Sequence, residues 1–174
     1  MNDVTAKPIH PLLTPSIFFL LLLIAAITAL DLWTKSIASA NLVYGQENEV
    51  LPILNWTLLH NKGAAFSFLS NQGGWQRYLF TGISSVASIV FLVWLIRLPK
   101  QQWLVRFSLT FILGGAIGNL IDRIQHGYVV DFISFHWNSS YFPAFNIADM
   151  AITFGAMLMI ADLIFNPEHN TEKS

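Results

Sequence analysis

From Pro8 through Leu30 the chain carries no Lys, Arg, Asp or Glu, and an uncharged apolar stretch of that length is suited to the interior of a bilayer. A spanning helix needs roughly 20 predominantly apolar residues, within about 17 to 25. The apolar runs are about Leu12 to Leu30, Tyr78 to Ile96, Phe107 to Ile121 and Phe145 to Phe165. The third is short unless Trp103 to Val105 are added. With 54% of its 174 residues hydrophobic and 11% charged, the chain is too apolar for an ordinary soluble domain. The expected fold class is an all-α membrane protein with a small β element: four transmembrane helices plus an extracytoplasmic β-hairpin or curled sheet at the membrane surface. Residues 1–166 are expected to form a single integral membrane domain and 167–174 a polar cytoplasmic tail.

The formal net charge is −1 and there is no basic run, so no nucleic-acid partner is expected. There is no Cys, which removes disulfides, thiolate zinc sites and Cys nucleophiles together. At the N-terminus, Lys7, the apolar run and Ala38-Ser39-Ala40 together imitate a cleavable secretory signal. Asp31 and Lys35 fall between the run and that cleavage site. They are four residues apart, so on a continuing helix they face each other and can pair. A retained first helix accounts for them better.

Orientation is read from Lys and Arg. The connection between the second and third runs holds Arg97, Lys100 and Arg106, three of the nine basic residues, and short basic loops stay in the cytoplasm. Both termini are then cytoplasmic, and segments 36–77 and 122–144 face outward. In the first of these, Val50 to His60 is rich in strand formers, Asn61-Lys62-Gly63 has turn chemistry, and Ala64 to Phe68 resumes an extended pattern. A hairpin at the membrane surface is expected, with Trp56, Phe66, Phe68, Trp75 and Tyr78 in an interfacial aromatic belt.

Two acidic residues lie in or beside the ends of the runs: Asp131 in Tyr128-Val129-Val130-Asp131-Phe132 and Asp149 in Phe145-Asn146-Ile147-Ala148-Asp149, where the fourth run is interrupted. Ionisable groups in such places point to function. Two nearby carboxylates do not both ionise cheaply, so one becomes a general base and the other a general acid. Asn146 is placed to cap the last helix, which puts Asp149 at its third position, where the helix dipole favours a carboxylate and makes Asp149 the base. Asp162 lies 13 residues further on, roughly 20 Å at about 1.5 Å rise per residue, too far to join the pair. In the third run, Gly114-Gly115-Ala116-Ile117-Gly118 allows close helix contact. Asn119, Asp122 and Arg123 follow at helical spacing. They either form a polar face aimed at the space around Asp131 or are a helix end wetted by headgroups.

Other chemistries lack their residues. No two His of His10, His60, His126, His136 and His169 have the H-E-x-x-H spacing of a zinc peptidase, and no G-x-S-x-G or P-loop occurs. No metal or cofactor is expected.

The strings Asn61-Lys62-Gly63-Ala64-Ala65-Phe66-Ser67, Gly114 to Arg123, Val129-Val130-Asp131-Phe132 and Phe145-Asn146-Ile147-Ala148-Asp149, in that order between four spans, resemble the bacterial lipoprotein signal peptidases, or signal peptidase II. The resemblance covers nearly the whole chain. It implies an inner-membrane aspartic endopeptidase that removes signal peptides from prolipoproteins, cutting just before a diacylglyceryl-Cys, with its active site toward the extracytoplasmic face. By the resemblance Asp131 and Asp149 are the catalytic pair. Asn61, Gly63, Asn119, Arg123 and Asn146 match positions that shape or line the substrate site, and Asp31 and Lys35 match a structural polar pair. Leu32 departs from the Gln that many members carry after the first-helix Asp. The implied partners are prolipoprotein substrates and membrane lipid, and the expected state is a monomer. The rival from another class is a small proton-coupled transporter in which Asp131 and Asp149 relay protons and Arg123 is a counter-ion. Asp162 alone furnishes its cytoplasmic half.

Overall fold

The computed structural model describes residues 16–63, 75–138 and 140–166. Its four long helices are α1 (Ile17–Asn41), α2 (Trp75–Arg97), α3 (Trp103–Gln125) and α4 (Ile147–Phe165). All four contain spans long and apolar enough to cross a membrane. The helix α1 starts at Ser16, whose hydroxyl accepts the Phe19 N–H at 3.2 Å. It does not stop where the apolar run stops. Asp31 and Lys35 pair within it at 2.7 Å, and the helix continues through Ala38-Ser39-Ala40, with Ala38 buried. At 25 residues and about 1.5 Å each it is about 37 Å long, more than the roughly 30 Å of a hydrocarbon core.

The third helix includes Trp103 to Val105, the extension its short apolar run required. Arg106 was expected in the basic connection; it belongs to α3 and is only 3% exposed. The connection is therefore limited to residues 98–102, and Arg97 and Lys100 carry the charge argument for orientation. The helix α3 is the most buried of the four and packs against α4, α1 and α2. Its glycines explain how closely. A Cβ at Gly115 would overlap the Ala148 carbonyl, and one at Gly118 would overlap the Asp31 carboxylate. Two hydroxyls add cross-helix hydrogen bonds: Thr28 Oγ1 donates to the Gly114 carbonyl at 2.9 Å and Ser108 Oγ to the Gly155 carbonyl at 2.7 Å. Such small-residue contacts and hydroxyl bonds replace the hydrophobic effect, which does not separate helices from lipid. Leu20, Ile24, Leu95, Leu109 and Leu113 form the apolar centre, while Ile83, Val86 and Ile89 of α2 and Met157, Ile160 and Ile164 of α4 point outward.

A four-stranded antiparallel sheet stands at one end of the bundle, with strands β1 (Glu47–Leu51), β2 (Leu54–Asn61), β3 (Val129–Trp137) and β4 (Ser140–Tyr141) in that spatial order. The expected surface hairpin is present, but it turns at Pro52-Ile53 rather than at Asn61-Lys62-Gly63. Val50 to His60 is thus the end of one strand, a turn and most of the next. Asn61-Lys62-Gly63 instead ends β2: Asn61 Oδ1 accepts the Gly63 N–H at 2.9 Å, and Gly63 has φ of +92°, a conformation glycine adopts without penalty. The resumed strand at Ala64 to Phe68, Phe66 and Phe68 in the aromatic belt, and the tail 167–174 lie outside the described residues. Trp56, Trp75 and Tyr78 are exposed. The strand β3 was not expected. It joins the second outward segment to the first through β2, with Asn61 opposite Val129 and Leu59 opposite Asp131. Ile133 and Phe145 exchange two backbone hydrogen bonds of 2.9 Å, which fixes the chain just ahead of α4.

Candidate active site

Three elements converge below the sheet: β3 brings Asp131, the start of α4 brings Asn146 and Asp149, and the end of α3 brings Asn119, Asp122 and Arg123. Asp131 is 3% exposed. Its Oδ1 accepts Asn146 Nδ2 at 2.7 Å, and the Asn61 side chain supplies another hydrogen bond. Its pKa is pushed up to about 7, first by burial and then by the charge of Asp149, against the pull of Asn61, Asn146 and Lys35. A buried carboxylate beside a second carboxylate holds its proton in this way.

Asp149 is half-buried and sits where the cap reading placed it. Asn146 Oδ1 accepts the Asp149 N–H at 3.0 Å, and Asp149 Oδ2 accepts the Asn146 N–H at 3.3 Å, a reciprocal capping box. The other oxygen, Oδ1, accepts Asn119 Nδ2 at 2.8 Å. Asn146 is fully buried and links the two aspartates, since its Nδ2 also lies 3.2 Å from the Val130 carbonyl and 3.3 Å from Asn119 Oδ1.

The amide of Asn119 is oriented by its neighbours. Lys35 Nζ, which can only donate, gives Asn119 Oδ1 a hydrogen bond of 2.8 Å, leaving Nδ2 to face Asp149. Of the two readings of the α3 end, the polar face aimed at the Asp131 region is therefore the observed one. Arg123 is half-buried, with Nη1 3.4 Å from the Asn119 carbonyl, and it feels the charges of Asp149, Asp131 and Asp122. Gly63 packs against the Phe80 ring, which a Cβ there would overlap. Asp162 is far from this cluster in the fold as in sequence: it receives hydrogen bonds from Asn166 at the other end of α4.

Two residues with strong roles did not stand out in the sequence as site residues. Asp122 is 3% exposed, accepts the Val130 N–H at 3.0 Å and pairs with Lys35 at 3.0 Å. Its i+3 relation to Asn119 marked it as polar-facing, but the partner N–H lies on another element. Arg77, at the start of α2, donates to the carbonyls of Arg123 at 3.2 Å and Ile124 at 2.6 Å. These belong to the last turn of α3, where a cation is favoured by the helix dipole.

The family model for signal peptidase (SPase) II matches residues 23–165. The lipoprotein signal peptidase of Acinetobacter baylyi is 54% identical over 145 residues, 83% of this chain and 81% of that protein. That of Shewanella woodyi is 52% identical over 134 residues, 77% of this chain and 76% of the relative. A bacterial membrane enzyme solved by the in meso method at 1.9 Å resolution superposes with a TM-score of 0.76 at 32% identity, covering 86% of this chain and 95% of that one. With the family model matching residues 23–165 and relatives more than 50% identical over three quarters or more of the chain, the chain belongs to the signal peptidase II family and is a multi-pass bacterial membrane peptidase.

Proposed function

We propose that this peptidase is an aspartic endopeptidase of the inner membrane that removes signal peptides from prolipoproteins, cutting just before the diacylglyceryl-modified Cys, with Asp131 and Asp149 as its catalytic pair. The observation that carries the proposal is the pairing of a buried Asp131, its pKa near 7, with Asp149 held by a helix cap and Asn119. In the proposed mechanism Asp149 acts as the base and Asp131, which holds its proton up to about pH 7, as the acid. Asp149 takes a proton from water as the water oxygen bonds to the scissile carbonyl carbon, and Asp131 gives its proton to the developing oxyanion. On collapse the C–N bond breaks, the proton on Asp149 passes to the leaving amine, and Asp131 recovers its own. Neither carboxylate is consumed. Asn119 and Asn146 shape the site through their bonds to the aspartates, Asn61 holds Asp131 from the sheet side, Gly63 ends the strand bearing Asn61, and Arg123 is placed to meet the substrate backbone.

The proposal has a pH signature in detergent-purified protein cleaving a lipidated peptide. Asp131 must keep its proton, so kcat/KM is expected to fall as pH rises through about 7. A carboxylate pair that carries two protons has no base, so the rate also falls in acid, and the two limbs belong to the coupled pair. A rate that climbs steadily from neutral to pH 9 would remove Asp131 as the acid.

Orientation is part of the same reading. With Arg97 and Lys100 in the cytoplasm, a Cys placed at Gln46 is expected to react with an impermeant thiol reagent added outside intact cells, and one placed at Gln101 to stay unlabelled. The opposite pattern would put the aspartates on the wrong side for exported substrates.

A further inference from the structure

Asp31, Lys35 and Asp122 are 0%, 2% and 3% exposed. Lys35 Nζ lies 2.7 Å from Asp31 Oδ2 and 3.0 Å from Asp122 Oδ2, and it also donates to Asn119. Two carboxylates against one ammonium, all removed from water, make a poor source of stability, because the desolvation cost rivals the attraction. What the cluster does supply is position. Asp122 Oδ2 accepts the Val130 N–H at 3.0 Å, and Asp31 Oδ1 accepts the Ala148 N–H at 2.8 Å. Val130 immediately precedes Asp131, and Ala148 immediately precedes Asp149. The cluster therefore grips the chain one residue ahead of each aspartate, from α3 on one side and α1 on the other.

We infer that Asp122, held by Lys35, is a positioning residue for Asp131, matching Asp31 as the positioning residue for Asp149. The inference rests on the catalytic pair proposed above. A carboxylate bonded to a backbone N–H fixes both the depth and the rotation of the next residue, and Lys35 ties the two grips into one unit. Displacing a reacting group by about 1 Å can cost about 10²-fold in rate.

The test compares two substitutions expected to leave the fold in place. Asp122→Asn keeps an oxygen at the same reach, and Lys35, a pure donor, turns that oxygen toward itself and Val130. Asp122→Glu keeps the charge but moves the carboxylate by one methylene. With kcat measured per folded molecule in detergent, Asp122→Glu is expected to lose about 10²-fold while KM changes less than about threefold. Asp122→Asn is expected to stay within about fivefold of the parent in kcat. A structural role alone would lower melting temperature or yield but leave kcat per folded molecule intact. Parent-like kcat in Asp122→Glu overturns the inference, as does a loss in Asp122→Asn as large as in Asp122→Glu. Asp131→Asn run alongside separates the two levels: if it stays active the catalytic pair itself fails, and if it is dead while Asp122→Glu is normal, only the positioning role fails.

Discussion

Asp131→Asn and Asp149→Asn each remove turnover, by at least about 10³-fold, because an amide keeps the shape of the carboxyl but exchanges no proton. The measurement is cleavage of a lipidated peptide by protein whose insertion and melting match the parent. Asp162→Asn, at the far end of α4, serves as the control and leaves the rate near the parent. The stability of Asp131→Asn has its own sign. The folded-state pKa of Asp131 is raised from 3.8 to about 7, so folding is favoured while the group is protonated. Stability tied to that proton is fully present below pH 3.8 and lost as pH rises through about 7. The amide variant escapes the loss and is expected to melt at or above the parent at pH 8. Substantial turnover in either dyad variant would end the aspartic reading.

The second large effect concerns the substrate. A diacylglyceryl group contributes about 0.8 kcal/mol per buried methylene, so a Cys bearing it reaches the enzyme already anchored at a set depth in the bilayer. The aspartates sit where the helix bundle meets the sheet, Asp131 on β3 and Asp149 in the first turn of α4. Replacing diacylglyceryl-Cys by plain Cys in an otherwise identical membrane-bound peptide is expected to lower turnover by orders of magnitude. Equal rates on the two peptides would leave an intramembrane protease of some other substrate class.

Much of this arrangement was legible residue by residue. Apolar runs gave the spans, the i, i+4 spacing of Asp31 and Lys35 gave their pairing, and Asn146 three residues before Asp149 gave the cap. Each of these is a local pattern whose partners lie within one turn of helix. The hairpin turn was misplaced because Asn61-Lys62-Gly63 carries stronger turn chemistry than Pro52-Ile53, which is hidden in an apolar stretch. The strand β3 does carry a local signal, since Ile133-Ser134-Phe135-His136-Trp137 alternates apolar and polar, but its pairing with β2 joins segments far apart in the chain. That Arg106 belongs to α3 and not to the basic loop is set by the helices packed around it, which its own sequence neighbourhood does not report. The bonds from Asp122 to Val130 and from Asn146 to Asp131 join separate elements, and no spacing rule along one element reports them.

At most helix starts Asn, Asp and Ser are nearly interchangeable caps, because each offers an oxygen to the N3 amide. At position 146 that freedom is gone. The oxygen of Asn146 serves the helix, and its Nδ2 serves Asp131. Asp would start α4 equally well but would set a third carboxylate against Asp131, and Ser would start it without reaching across. Only a side chain with acceptor and donor on one planar group meets both demands. The residue at 146 is thus chosen by two unrelated pressures at once, and a library selected for helix stability alone would drift away from it.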